Sequence, residues 1–481
     1  MMVGNFGCAL RCVRRQVRNY RRCIVAASAF ALCACSLGPQ YRRPDIPAPA
    51  AWRNAQANAR VAWPSSNWWR GFGSPQLDAF IAQAQHANDD IAAAIARVRE
   101  ADAQARIAGA ALLPAVAATA DITRERTLAA SSGALSTYSV YSPQVSATYE
   151  LDFWGKNRAA LGAAKATLAA SRYDRATVEL TVMTGVASTY FLSLELRERL
   201  SIAQSNLASA AAILKGLRLQ QAAGTANALD VAQQETTAAT LNAAIPPLEQ
   251  QLRQSVDALA ILLGKTPEAV DLASGTLAGL WQPGVQPGLP SELLARRPDV
   301  AEAEAQLIAA NANIAQARAA FFPRIELTAS TGFASTALSH ALDPANSIFS
   351  LAAGLAQPIF EGGALEGQSA YAKARYAELL ADYHKSVISA FANVEDALVA
   401  LQKTGDQVQR QQQAVATARR AYEIAQAQLH AGTINVLTLL NTEGALFTAE
   451  DAMAQVKFSH LQALIGLYKA LGGGWRNTPE A

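Results

Sequence analysis

The sequence predicts a mainly α-helical protein with a smaller β portion, built from two copies of one structural unit. Two long stretches without proline, 65 residues from Lys156 to Gln220 and 67 residues from Ala364 to His430, are rich in residues that favour helices. Before each of them, apolar and polar residues alternate with a period of two, which is the pattern of β-strands. Short landmarks then recur at a spacing of 207 to 209 residues.

The two proline-free stretches predict helices much longer than those of an ordinary globular domain. At about 1.5 Å of rise per residue, each would be roughly 100 Å long. The first ends at Gly224, where glycine supplies a left-handed turn. The chain then returns as a helix from about Leu229 to Gly264, which Pro246 and Pro247 are expected to bend. We therefore expect the returning chain to form a second helical column beside each long helix.

Period-two alternation predicts one β-hairpin before each long helix. The first is expected at about 114–125 and 142–153, across a Ser/Gly-rich gap at 129–137, and the second at about 323–335 and 347–360. Runs of about ten alternating residues are typical of transmembrane barrel strands, although a soluble sheet gives the same alternation. Four strands are too few to close a barrel, since the smallest closed barrels have about eight. Either soluble structure covers the sheet, or several chains pool their strands.

Four pairs of landmarks in matching contexts indicate an internal duplication. Each half is predicted to contain a short helix, a hairpin, a long helix, a turn and a returning helix; in the first half, Asn88 can cap the short helix, which runs to about Ala110. We assign a first repeat to 76–264, a linker to 265–290 and a second repeat to 291–475. The matching pairs are Leu113-Pro114 with Phe322-Pro323, Phe153-Trp154-Gly155 with Phe360-Glu361-Gly362, Ala223-Gly224-Thr225 with Ala431-Gly432-Thr433, and Leu263-Gly264 with Leu471-Gly472.

The N-terminal segment has the pattern of a secretory signal. Six arginines precede an apolar run from Cys23 to Ala34, and no acidic residue occurs before Asp45. Leu at position −3 and a small residue before Cys35 resemble a bacterial lipoprotein box. We therefore expect residues 1–34 to be removed as a signal peptide and Cys35 to be acylated as the lipid anchor. A plain signal peptide with an incidental cysteine is the alternative.

Composition fits an exported chain. All five cysteines lie at or before Cys35, so the mature chain can form no internal disulfide. Removal of residues 1–34 deletes six arginines and leaves 35 basic against 38 acidic residues, so the net charge changes from +3 to −3 and gives no argument for nucleic acid. Residues 35–75 are rich in Pro and Trp and predict an extended, lipidated N-terminal tether. Residues 476–481 form a C-terminal tail.

No motif indicates catalysis or a bound metal. The five histidines have no partner four residues away and no cysteine nearby, which does not fit a zinc site. The sequence has no GxSxG, no CxxC and no phosphate-binding glycine loop. No window approaches the 18 or more consecutive apolar residues that a spanning helix needs. The sequence therefore predicts neither an enzyme nor a cofactor, and it does not specify a cargo.

Several motifs resemble the outer-membrane factors of bacterial tripartite efflux systems, the NodT-type efflux lipoproteins similar to OprM and TolC. The resemblance covers essentially the whole mature chain, and its most specific part is the proline-arginine motif at 287–299. The motifs are CSLGPQYRRP at 35–44, WWRGFGSPQL at 68–77, YELDFWG at 149–155, PGLPSELLARRPD at 287–299, AGT at 431–433 and LGGGW at 471–475.

The resemblance implies a homotrimer whose three chains form a twelve-stranded β-barrel in the outer membrane and a twelve-helix α-helical barrel through the periplasm. It implies a passive outer-membrane channel that exports drugs or other toxic small molecules. Its partners would be a periplasmic membrane-fusion adaptor, an inner-membrane RND pump and outer-membrane lipids. A type I protein secretion channel, which shares the fold, is the alternative. A trimeric adhesive coiled coil is disfavoured by the two hairpins.

The resemblance also implies where the channel closes. The turns at Gly224-Thr225 and Gly432-Thr433 would lie at the periplasmic tip, and opening would be an iris-like untwisting of the tip helices. Family members often carry Asp where Thr438 and Asn441 stand, so we expect closure to depend less on charge and more on packing of Leu429, Val436, Leu437 and Leu440. Asp230 matches an acidic tip position, or is a solvated helix cap. The implied constriction residues are Asp230, Leu437, Thr438 and Asn441.

Overall fold

The computed structural model of the chain describes residues 38–54, 63–128, 135–273, 275–285 and 287–476. The predicted signal peptide at 1–34, the predicted anchor Cys35 and nearly all of the predicted tail lie outside the described residues. Most of the predicted Ser/Gly-rich gap lies outside them as well.

The described residues form two halves with the same order of elements. Helix α1 (Pro75–Ala87) precedes the first half, which comprises α2 (Asp89–Ala110), β1 (Ala115–Leu128), β2 (Leu135–Leu151), α3 (Lys156–Ala222) and α4 (Ala228–Leu262). The second half comprises α5 (Pro298–Ala319), β3 (Arg324–Phe333), β4 (Ser347–Ala356), α6 (Ala364–His430) and α7 (Val436–Ala470). Corresponding helices have the same lengths, 22, 67 and 35 residues, in both halves.

Local sequence explains where the shorter helices begin. The Asn88 side chain accepts hydrogen bonds from the backbone N–H groups of Asp90 at 3.0 Å and Ile91 at 3.1 Å, so it caps α2 as predicted. Helix α4 continues without interruption through Pro246 and Pro247. Both prolines are exposed, so water can satisfy the carbonyl groups that lose an N–H partner.

The four strands form one antiparallel sheet in the order β1-β2-β3-β4. The two hairpins join through β2 and β3, which pair over Gln144–Leu151 and Ile325–Gly332. Every residue of β1 and of β4 is exposed. The outer strands therefore have both faces open, and each leaves one edge unpaired within the described part of the chain.

The strand ends differ from those that the alternation predicts. The first hairpin extends to Leu128 and Leu135, because cross-strand pairing continues through the charged segment 124–126, where the apolar alternation is lost. The second hairpin is shorter than predicted. Its last strand ends at Ala356, close to Pro358, which has no N–H to donate to a ladder.

Contacts divide the chain into two compact units. Unit 1 comprises 38–43, Ala101–Leu168 and Ala305–Leu380, and it contains the sheet and the junctions between strands and long helices. At the first junction, Trp154 stacks on Phe322 with ring centroids 4.8 Å apart and donates from Nε1 to the Pro323 carbonyl at 2.8 Å. Near the start of the described chain, Asn311 of α5 donates to the Pro39 carbonyl at 2.9 Å.

Unit 2 comprises the remaining described residues, and an aromatic cluster lies in its core. Trp68 stacks on Tyr468 with centroids 4.8 Å apart, and Phe72 meets Phe191 edge to face at 5.0 Å. The chain after α7 packs closely here: a Cβ added to Gly472 would lie 2.0 Å from the Arg296 carbonyl oxygen. Only glycine fits at that position.

The proline-arginine motif at 287–299 holds the tether and the end of α7. Trp52 donates from Nε1 to the Gly288 carbonyl at 2.7 Å, and the Arg296 guanidinium lies 4.4 Å from the Trp63 ring centroid. Arg297, only 8% exposed, pairs with Asp299 and donates to the Ala470 carbonyl at 3.2 Å. Through these contacts, the motif links the tether to the end of α7.

Within the described ranges, none of the helices combines the length and the apolar character needed to cross a membrane.

Candidate functional site at the paired helix turns

The first turn joins α3 to α4 through a left-handed glycine. Gly224 has φ 73°, as predicted, and nothing lies within 4 Å of the position of a Cβ there. The Gln220 carbonyl accepts the backbone N–H of Thr225 at 2.9 Å and its hydroxyl at 3.0 Å. These bonds satisfy a carbonyl group that the end of α3 would otherwise leave without a partner.

The second turn, between α6 and α7, repeats this geometry. Gly432 has φ 69°. The Gln428 carbonyl accepts the backbone N–H and the hydroxyl of Thr433, each at 3.0 Å. The two sequence-predicted turns therefore have the same backbone and the same side-chain bonds.

The returning helices also begin alike, with one difference at the third helical position. Asn227 accepts the backbone N–H of Asp230 at 2.9 Å, and Asp230 accepts the backbone N–H of Asn227 at 3.4 Å, which makes a capping box. Asn435 accepts the backbone N–H of Thr438 at 3.0 Å and its hydroxyl at 2.9 Å. Asp230 thus has the capping role that was one of its two predicted roles, and only the first helix start carries a negative charge.

An apolar cluster joins the two turns. Its buried members are Leu217 of α3, Val231 of α4 and Val436 of α7. The structure therefore brings residues of both halves together at their turns. Partly buried side chains pack against this cluster: Ile213, Leu214, Leu429 and Leu440.

The predicted constriction residues do not all belong to this cluster. Leu437 is 46% exposed, and Thr438 and Asn441 are also exposed. Of the side chains expected to close the tip by packing, Leu429, Val436 and Leu440 lie in the cluster. Leu437 lies outside the cluster within one chain, because it projects from the side of α7 opposite to the buried position of Leu439. Its role in the constriction stays a prediction.

A buried polar pair lies beside the cluster and was missed by the sequence analysis. Glu443 of α7 and Gln234 of α4 are both 0% exposed. Gln234 donates from Nε2 to the Ala210 carbonyl of α3 at 2.8 Å. Its Oε1 atom and both carboxyl oxygens of Glu443 accept no hydrogen bond from the described part of the chain.

Burial dominates the electrostatics of Glu443. It raises the pKa of this carboxyl from 4.5 to about 7, and the Gln234 amide acts in the opposite direction. Burial and the charge of Glu443 raise the pKa of Tyr422 on α6. A signal for this site was present in the sequence: Glu443 interrupts a helical stripe of apolar residues, Val436, Leu439 and Leu446, all of which are buried.

Further along the same helices, ion pairs link α3 to α7. Arg199 pairs with Asp451 at 2.7 Å, and Glu198 pairs with Lys457 at 3.2 Å. Burial raises the pKa of Glu195, although the neighbouring Arg199 opposes the shift. These pairs fix the position of α7 against the long helix of the other half.

Nothing in the described ranges resembles a metal centre, since they contain no group of three or more His, Cys, Asp or Glu side chains that could hold an ion. The site therefore consists of two helix turns that share one apolar cluster, with one buried acid beside it.

The sequence matches the model of the family described as outer membrane efflux protein twice, over residues 80–265 and 289–473. The chain belongs to the outer membrane efflux protein family. The two matched stretches coincide with the two structural halves, which confirms the resemblance that the motifs indicate.

Relatives of this efflux protein align over almost their whole length. The pyoverdine export outer membrane protein OpmQ of Pseudomonas aeruginosa is 41% identical, covering 94% of this chain and 97% of the relative. The toluene efflux pump outer membrane protein TtgF of Pseudomonas putida is 33% identical, covering 94% and 96%. Like these proteins, this chain is an outer membrane efflux channel.

Solved structures agree with the fold. The outer-membrane channel OprN superposes with a TM-score of 0.85 at 27% identity, covering 92% of this chain and 100% of that one. The open state of the MtrE outer membrane channel of Neisseria gonorrhoeae gives a TM-score of 0.84 at 28% identity, covering 92% and 99%. The mostly helical architecture with a smaller β portion is therefore that of known efflux channels.

Proposed function

We propose that this protein is the outer membrane channel of a tripartite efflux pump, a passive conduit that carries small molecules from the pump to the cell exterior. The observation that carries the proposal is the duplicated half, matched twice by the family model, in which a hairpin is joined to a helix of 67 residues. Such a helix is about 100 Å long. Partners in this role are a periplasmic membrane-fusion adaptor and an inner-membrane RND pump.

The open sheet supports a homotrimer. Four strands with two unpaired edges in the described chain cannot form a membrane wall, because no edge can remain open in lipid. Three copies would supply twelve strands, enough for a closed barrel. The same three copies would supply twelve helical columns around the duct. Size-exclusion chromatography with light scattering in detergent tests this point, and a monomer would contradict it.

The N-terminal chain supports a lipid anchor at the membrane boundary. Pro39 is bound to Asn311 of α5 in unit 1, which also contains the sheet. Cys35 is three residues before Gly38, a stretch of chain that spans at most about 11 Å. Exposed apolar side chains at the strand–helix junctions suit the interface of a bilayer: Phe153 at 42%, Phe322 at 36%, Ile359 at 88% and Phe360 at 87% exposed. Labelling with a radioactive fatty acid, lost in Cys35→Ala, tests acylation.

The paired turns form the periplasmic tip in this proposal, and packing rather than charge closes it. The two turns share an apolar cluster, whereas Thr438 and Asn441 supply no charge. An asparagine ring offers only dipoles to a passing ion, unlike a ring of carboxylates. Single-channel recordings should therefore show weak block by divalent cations. Strong block that Asn441→Ala abolishes would contradict the proposal.

The cargo is tested with a deletion strain. Because relatives at 41% identity are pyoverdine export proteins and relatives at 33% include a toluene pump protein, the panel should combine secretion of a siderophore-like product with tolerance to solvents and antibiotics. Complementation by the wild-type gene should restore one of these phenotypes. Co-purification with an ABC exporter and loss of a secreted protein would instead indicate a type I secretion channel.

A further inference from the structure

The buried acid Glu443 lies where the two returning helices meet. It is seven residues, or about two helical turns, from Val436 on α7, and Gln234 is one turn from Val231 on α4. Val436 and Val231 belong to the apolar cluster that joins the turns. The polar pair therefore continues the contact between α4 and α7 beyond its apolar part.

Among the described residues, burial and Gln234 set the pKa of Glu443, and no cation acts to neutralise a carboxylate at this position. Arg218 of α3 pairs with Glu235 of α4 at 2.7 Å, and Arg419 of α6 pairs with Glu450 of α7 at 2.6 Å. Tyr422 of α6 is the titratable side chain that responds to the charge of Glu443. A carboxylate buried without a positive partner is costly, and the usual outcome is that it takes up a proton.

A proton on Glu443 would also allow two of the unpartnered oxygens to pair. In the described part of the chain, Gln234 Oε1 accepts no hydrogen bond, and neither carboxyl oxygen of Glu443 accepts one. A carboxylic acid has an O–H group to donate, whereas a carboxylate has none. One proton therefore makes one oxygen of Glu443 a donor that can be accepted by Gln234 Oε1, and the other carboxyl oxygen remains an acceptor.

We propose that Glu443 is a proton-binding site that acts as a latch between the two returning helices: the protonated acid holds α7 against α4, and its deprotonation releases the contact. The inference builds on the proposed channel function, since release at the turns would favour an open tip. The first half has no such latch, because Glu235, the residue 208 positions earlier, forms its ion pair with Arg218.

The direction of the pH effect follows from the raised pKa. A group whose pKa is higher in the folded state stabilises the fold at low pH, and this contribution is lost as the pH rises from about 4.5 to about 7. A shift of this size corresponds to a change on the order of a hundredfold in the local opening equilibrium of each protomer.

Infrared spectroscopy of the full chain in detergent tests the proton directly. The carbonyl stretch of a protonated carboxylic acid should be present at about pH 6 and disappear with a midpoint near 7. Because burial raises the pKa of Glu195 as well, the decisive quantity is the difference between the spectra of wild type and Glu443→Gln. Glu235→Gln is the matched control and should leave the difference band intact. A wild-type spectrum identical to that of Glu443→Gln would overturn the proposal.

Planar-bilayer recordings test the latch. Open probability of the wild-type channel should rise as the pH increases from about 4.5 and level off above about 7. Glu443→Gln should keep its low-pH behaviour throughout, and Glu235→Gln should follow the wild type. If Glu443→Gln does not assemble, Glu443→Met takes its place in both experiments. An unchanged pH response in these variants contradicts the latch. Absence of conduction in every sample contradicts the channel function, and the infrared difference then still decides whether Glu443 holds a proton.

Discussion

The two turns have the same backbone conformation, but the charged residues near them differ in burial and pairing. Both use a left-handed glycine, a threonine bonded to a glutamine carbonyl and an asparagine cap. In the first half, Glu235 pairs with Arg218 on the surface. In the second, the positions of these two residues are taken by Glu443, which is buried, and Gln426, which is exposed. The turn and cap bonds are therefore shared by the two halves, whereas the charges around them differ.

The largest expected effect lies in the cluster that both halves share. Leu217→Ala removes a side chain that is 5% exposed, and losses of about 2–5 kcal/mol are usual for such a change. We expect a lower midpoint in thermal unfolding followed by circular dichroism. Leu437→Ala, at a site that is 46% exposed, is the control and should change stability by no more than about 0.5 kcal/mol. Equal effects would show that Leu437 is buried against another copy.

Gln426→Arg gives the second half the cation that the first half has. An opposite charge nearby lowers a carboxyl pKa by about 1–3 units, so the titration midpoint of Glu443 should fall from about 7 towards its ordinary value. The pH at which the infrared acid band disappears measures this shift. Gln426→Met, which adds no charge, should leave the midpoint unchanged. An unmoved midpoint in Gln426→Arg would mean that an arginine at this exposed position does not reach the buried carboxyl of Glu443.

The caps should behave almost alike. Asn227→Ala and Asn435→Ala each remove the acceptor for a backbone N–H, which costs about 1 kcal/mol. Amide hydrogen exchange at the first turns of α4 and α7 reports the loss locally. Asp230→Ala should add a smaller destabilisation of α4, about 0.3–1 kcal/mol, because an acidic residue at a helix start favours the helix. Thr438→Ala removes no charge. An effect larger than that of Asp230→Ala would contradict the role given to the charge at the helix start.

The smallest effect is expected for the surface ion pair. Arg218 and Glu235 have side chains that are 60% and 48% exposed. Exposed pairs usually contribute about 0.2–1 kcal/mol, and salt screens them. Arg218→Ala should therefore lower the unfolding midpoint slightly, and the difference from wild type should vanish at high salt. A difference that persists in high salt would indicate that the aliphatic part of Arg218 packs against α4.

Local signals in the sequence were sufficient for most of the fold. Proline-free stretches gave the long helices to within a few residues, and Gly224 marked its turn because a left-handed backbone favours glycine. Strand ends were less predictable, since pairing through 124–126 depends on the partner strand rather than on the local pattern.

The site was harder to predict because burial on a long helix depends on its neighbours. Leu437 is apolar yet exposed, and Glu443 is charged yet buried. Alanine occurs on every side of these helices, so composition alone marks no single buried face. The apolar stripe around Glu443, and the loss of the arginine that accompanies its counterpart Glu235, were the signals that could have revealed the buried acid.

The matched helix lengths restrict how the molecule can change in evolution. Seven residues inserted into α3 would carry Gly224 about 10.5 Å along the helix axis, beyond reach of Val436. The two turns would meet again only if α4, α6 and α7 received the same insertion. A longer version of this protein must therefore lengthen four helices in step, and a change in only one of them separates the halves.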